Sequence, residues 1–181
     1  SIIRERPRAL SNPYLLLFFT IFQIYTIDVV SNLLDSIMSL KEKFNINLLF
    51  VSEEDIIPLY SERYGDTYRF KQPIQIPSMP GFYLIPEFLG YAINLAGDVI
   101  KIKDNLKLKP FLHNSEPNER GTYRKYTLGH RTNYRHRLLM LTFSYYQRHP
   151  NELVVNHKNG IKGDDFLLNL EWKTTKGNYE H

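Results

Sequence analysis

In the 181-residue chain, His157 follows Asn156 in the run Leu153-Val-Val-Asn-His157, and Asn178 and His181 lie near the end of the same stretch. A histidine exchanges its proton near neutral pH, so it can deprotonate a water molecule. The oxygens of Asn156 and Asn178 suit a hard divalent cation. His181 stands three residues beyond Asn178 and would share its face on a helix. Hydrolysis of a phosphodiester needs both functions, a base for the water and a cation for the charge on the phosphate and the departing oxygen.

Local signals suggest how these residues are positioned. Val154 and Val155 predict a short strand with Asn156 and His157 at its end. Lys158-Asn159-Gly160 is a turn signal, because Asn-Gly tolerates positive φ. A polar stretch follows, in which Asp164 and Asp165 read as solvated loop residues. Leu167 to Trp172 predicts a second strand, with Trp172 as a large buried anchor. Thr174 or Thr175 can then cap a short helix carrying Asn178 and His181.

Upstream, Leu138, Leu139, Leu141, Thr142 and Phe143 give the apolar face of a helix that begins near Tyr134, with His136 and Arg137 at its start. Thr122–Leu128 reads as a strand, and Gly90–Ile102 as two short strands joined at Gly97. Pro73–Pro80 marks a boundary. Before it, residues 45–75 hold short strand-like runs such as Ile46–Val51 but no recognisable chemistry. Residues 14–37 are apolar and predict a buried helix or one packed on a partner. The run to Ile27 falls short of the about 20 residues a bilayer span requires, and extending it to Leu34 encloses Gln23 and Asp28. No small-residue cleavage site follows it, so a signal peptide is not expected. Met38 opens a conventional soluble texture and is a candidate start. The expected division is an apolar helical extension over 1–37, a linker over 38–79, a small β-rich module over 80–130, and a final domain over 131–181.

Charge is unevenly distributed. Residues 1–98 carry 8 Lys+Arg against 11 Asp+Glu, whereas residues 99–181 carry 15 against 8. A basic C-terminal half suits a polyanion, since cations that neutralise phosphates release counterions. Lys158, Lys162, Lys173 and Lys176 surround the candidate site, and Arg124, Lys125, Arg131, Arg135, His136 and Arg137 could extend a DNA footprint. With no cysteine, disulfides and thiolate zinc sites are excluded. Any metal must be held by His, Asn, Asp or Glu, which favours Mg2+ or Mn2+.

The segment resembles the HNH endonuclease family, especially the homing endonucleases of phages and group I introns. Asn156-His157, Lys158-Asn159-Gly160, Asn169-Leu170-Glu171-Trp172 and Asn178 match its successive motifs. His136-Arg137-Leu138 with Phe143 is similar to the helix that precedes them, and Tyr91 to Val99 resembles a module often found before such domains. The resemblance covers roughly residues 80–181. It implies an α+β fold built on a ββα-metal (His-Me finger) unit, with His157 as general base and Asn156 and Asn178 as metal ligands. Asn169 would tie the loop to the second strand. The partner would be double-stranded DNA, cut to leave 5′ phosphate and 3′ hydroxyl ends. A monomer would nick one strand, and a double-strand break would need a dimer or two events. The location would be the cytoplasm of a bacterial host or an organelle, not secretion. Two positions depart from the pattern: Asn156 stands where many members have Asp, and Gly163-Asp164-Asp165 replaces an Asn-rich stretch. Two other readings stay open, a DNA-binding HNH fold that no longer cuts, and a membrane-associated or structural protein organised by residues 14–37.

Overall fold

The computed structural model describes residues 28–39, 52–113 and 120–176, and the order of its elements is almost entirely antiparallel β. Residues 28–39 are helical (α1). A hairpin follows, β1 (Ile56–Leu59) with β2 (Thr67–Phe70). A four-stranded meander comes next, β3 (Tyr83–Ile85), β4 (Phe88–Ile93), β5 (Val99–Lys101) and β6 (Leu106–Lys107). A three-stranded sheet contains β7 (Phe111–Leu112), β8 (Arg124–Leu128) and β9 (Arg131–Tyr134). Helix α2 (Arg135–Phe143) leads to the final hairpin, β10 (Leu153–His157) with β11 (Leu170–Thr174).

The meander is buried on both faces. The facing residues Leu84, Ala92 and Ile100 point to a core shared with Val30, Leu33 and Ile37 of α1 and with Ile56 and Phe70 of the first hairpin. The 3- and 4-residue spacing of those α1 residues gives a single apolar stripe. Ile85, Ile93 and Val99 face the other way, onto Tyr126, Leu128, Leu138, Leu139 and Leu170. A sheet covered on both sides has no polar face to alternate with, which explains the apolar run through β4. Helix α2 lies between this sheet and the final hairpin, and His136 and Leu138 through Thr142 are all buried.

Several expectations change. The boundary expected at 130/131 falls inside a hairpin, where Leu128 pairs with Arg131. The β-rich module and the final unit therefore share one core. The described part of the expected linker, from residue 52, forms the β1–β2 hairpin and packs into the first core. The second strand of the final hairpin begins at Leu170, because Leu167–Asn169 form a 3-10 turn. Trp172 is half-buried, packed on Tyr146 with ring centroids 5.5 Å apart. The strand-like run at 46–51, residues 14–27 and the helix expected after Thr175 with Asn178 and His181 lie outside the described residues. Among the described residues no helix is long and apolar enough to cross a membrane.

One shared core predicts one unfolding event. Leu138 is fully buried, so Leu138→Ala should cost about 2–5 kcal/mol. It should lower the urea midpoint of a single transition seen equally by far-UV circular dichroism and by Trp172 fluorescence. Two separable transitions would contradict the shared core.

Candidate active site

The final hairpin has two faces, and its register sends the candidate base and the candidate ligand to opposite ones. Asn156 pairs with Glu171 and His157 with Leu170, and successive strand residues point to opposite sides. His157 turns inward against α2, its ring 5.0 Å from that of His136. Asn156 meets Glu171, donating from Nδ2 to Oε1 at 2.8 Å.

Between the strands, residues 158–169 are held by their own side chains. Gly160 takes φ 73°, as the turn signal requires. Asn159 Oδ1 accepts from Ile161 N (2.9 Å) and from Asn169 Nδ2 (3.0 Å), while Asn159 Nδ2 donates to Asp164 Oδ2 (2.7 Å). Asn169 Nδ2 also donates to the Asp164 carbonyl at 2.9 Å, and Asn169 Oδ1 accepts from Asn159 N at 3.1 Å. Outside the loop, Arg124 donates to the Gly163 carbonyl at 2.9 Å and Lys162 N to the Arg120 carbonyl at 2.7 Å.

This network delivers Asp165 inward. Expected as a solvated loop residue, Asp165 is instead 6% exposed. Its Oδ1 lies 2.9 Å from His157 Nε2 and its Oδ2 2.6 Å from Arg135 Nε. Burial pushes its carboxyl up, but the hydrogen bonds from His157 and Arg135 and the Arg135 charge outweigh burial and hold it below the usual carboxylate range. An ionised Asp165 accepts only, so His157 donates from Nε2, and the neutral form of the ring then has its lone pair on Nδ1.

Arg135 reaches Asp165 by crossing Gly97. A Cβ at Gly97 would stand 2.8 Å from Arg135 Cδ, and the residue has φ 81°. Tyr126 Oη donates to the Gly97 carbonyl at 2.9 Å and fixes the turn from below. The β4–β5 turn thus shapes the passage for the side chain that orients the candidate base.

His136 completes the inner cluster. Tyr134 stacks on it at 5.1 Å, and Tyr123 lies 5.0 Å from its ring and 5.8 Å from that of His157. Burial drives the His136 pKa down to about 4, against the opposing pull of Asp165. Its Nδ1 is buried with no hydrogen-bond partner, 3.9 Å from Asp165 Oδ1.

Several residues expected to grip DNA are engaged within the protein. Arg135 is spent on Asp165, and His136 is buried. Arg137 donates to the carbonyls of Leu153 (3.1 Å) and Pro150 (2.8 Å) and lies 5.7 Å over the Trp172 ring, tying α2 to the final hairpin. The basic face that starts α2 points inward because the helix is covered on nearly every side. Lys125 covers Tyr134 at 4.5 Å, Lys162 covers Tyr123 at 5.3 Å, and Lys173 pairs with Glu171 at 3.3 Å. Lys158, Lys176 and Arg131 are exposed, although Lys158 Nζ donates to the Leu168 carbonyl at 2.8 Å. Asp165, Glu171 and Tyr123 were not singled out by the sequence. No local signal distinguishes Asp165 from a solvated loop acid, because its partner Arg135 lies thirty residues earlier.

No protein-family model and no curated protein matches the chain. Among solved structures, the chain is similar to that of the HNH homing endonuclease I-HmuI, whose description concerns DNA binding and cleavage. The identity is 30%, the match covers 55% of this chain and 55% of that one, and the TM-score is 0.40. The match thus spans about half the length of that structure.

His136 gives a pH signature in EDTA-treated protein. Its folded pKa of about 4 lies below the usual 6.5, so the unfolded chain takes up the proton first as pH falls. The native state loses up to roughly 3 kcal/mol between those two values, and nothing above them. Urea midpoints should fall across that window, and His136→Phe should flatten the fall. Equal slopes in both proteins would mean that His136 is not held neutral by burial.

Proposed function

We propose that this chain is a metal-dependent DNA endonuclease of the HNH homing type, with His157 as the general base. The observation that carries the reading is the buried chain Arg135–Asp165–His157, which fixes the imidazole in one tautomer at the end of a strand. Asp165 holds the proton on Nε2, so Nδ1 accepts the proton of the water that attacks phosphorus. The imidazolium that forms is then stabilised by Asp165, whose charge Arg135 balances at 2.6 Å.

The donors on the outer face fit a hard divalent cation. Asn156 Nδ2 is committed to Glu171, so its Oδ1 is the atom left to ligate, and the Glu171 carboxylate stands beside it. Amide and carboxylate oxygens of this kind suit Mg2+ or Mn2+. Asn156 and Asn178 would hold the ion, with His181 as a further donor. When bound, the ion supplies positive charge to the scissile phosphate and the departing 3′ oxygen. Glu171 provides the negative charge that the neutral Asn156 does not.

Exposed Arg131, Lys158 and Lys176 are the cations best placed to meet flanking phosphates. Lys162 and Tyr123 form a basic and aromatic rim beside the inner cluster.

The test is conversion of supercoiled plasmid by purified protein in Mg2+ or Mn2+ against EDTA. Nicked or linear product should form only with metal. His157→Ala should slow it by about 10²- to 10⁴-fold, and Asp165→Asn by about tenfold or more. Metal-independent DNA binding with no cleavage would instead mark a nuclease fold that no longer cuts.

A further inference from the structure

We propose that His136, His157 and Asp165 together form a binding site for one borderline transition-metal ion of the zinc or cobalt class, separate from the oxygen donors beside Asn156. Each residue offers one ligand atom, and the three atoms lie within 4.8 Å of one another, all on buried side chains. Ligands of a tetrahedral ion at about 2.0–2.1 Å stand roughly 3.3 Å apart. Two of the separations here, 2.9 Å from His157 Nε2 and 3.9 Å from His136 Nδ1 to Asp165 Oδ1, lie on either side of that spacing.

The unpartnered His136 Nδ1 is the independent observation. Its side chain is 9% exposed, and its inward nitrogen has no hydrogen-bond partner. A buried polar atom left in this state costs about 1–3 kcal/mol, and a metal bond would satisfy it. Two imidazoles and one carboxylate select zinc, cobalt or a similar ion over magnesium. Arg135, bonded to the other carboxylate oxygen, already turns Oδ1 toward the two rings, as an outer-shell partner does in a metal site.

Binding has a chemical consequence. The ion takes the lone pair of His157 Nε2, so the proton on that atom moves to Nδ1. His157 then has no free lone pair, and zinc inhibits cleavage. That consequence rests on the nuclease reading, whereas the site itself does not.

The experiment titrates the EDTA-treated full chain with Co2+ and then Zn2+, reading cobalt absorption and zinc affinity. One Co2+ per chain should bind with the visible band of a four- or five-coordinate ion, and Zn2+ should displace it. His136→Gln and Asp165→Asn should each weaken zinc by about tenfold or more. X-ray absorption on zinc-loaded wild-type protein needs no variant and should show two imidazole ligands. No cobalt band, fewer than two imidazoles, or unchanged affinity in variants with native circular dichroism would each overturn the site. Because binding and cleavage are read separately, zinc capture by a protein that cuts nothing supports the site and counts against the nuclease. Metal-dependent cleavage without zinc capture does the reverse.

Discussion

A carboxylate taken out of water persists only where donors replace the solvent, and Asp165 has a guanidinium on one oxygen and an imidazole on the other. Both partners are themselves largely buried. Loss of Arg135 would leave the buried carboxylate without its counter-charge, at a cost of about 3–5 kcal/mol, and loss of His157 would leave the other oxygen without its donor. The pairing also joins elements distant in sequence. Arg135 opens α2, Asp165 sits in the loop of the final hairpin, and His157 ends β10. The Asn159–Asn169–Asp164 network holds the loop in the closure that brings all three together.

The remainder of the fold makes this meeting possible. The meander, buried on both faces, packs one side on α1 and the other on α2, so the helix that carries Arg135, His136 and Arg137 has little freedom to shift. Gly97 leaves room for the Arg135 stem, and Arg137 takes two carbonyls of the segment leading into β10. A hairpin mounted in this way can present His157 inward and Asn156 outward, because neighbouring strand residues diverge. The candidate base and the candidate oxygen donor are adjacent in sequence yet lie in different surroundings, His157 buried beside His136 and Asn156 half-buried beside Glu171.

Much of the local structure could be read from the residues. The α2 periodicity, the Gly97 turn and the Val154–Val155 strand all have short-range causes, and the structure contains an element at each. Long-range choices were less legible. Asp165 looks like any loop acid until Arg135, thirty residues earlier, is brought beside it. His136, Arg135 and Arg137 read as a basic helix start facing solvent, because nothing in their spacing reveals that α2 is covered on nearly every side. The boundary at 130/131 failed for a similar reason: Gly129-His130 is a tight turn inside a ladder, not a break between domains. The first hairpin was missed because its strands are only four residues long and lack a clean alternation.

The orientation of the candidate base can be measured directly. Long-range 1H–15N correlation spectra of histidine-labelled, EDTA-treated protein at neutral pH distinguish the two ring nitrogens of His157, assigned by comparison with His157→Gln. A proton on Nε2 and a bare Nδ1 are predicted, with that preference lost in Asp165→Ala. A proton on Nδ1 in the wild-type protein would contradict the arrangement, because Asp165 would then not hold the ring and Nδ1 could not serve as the base.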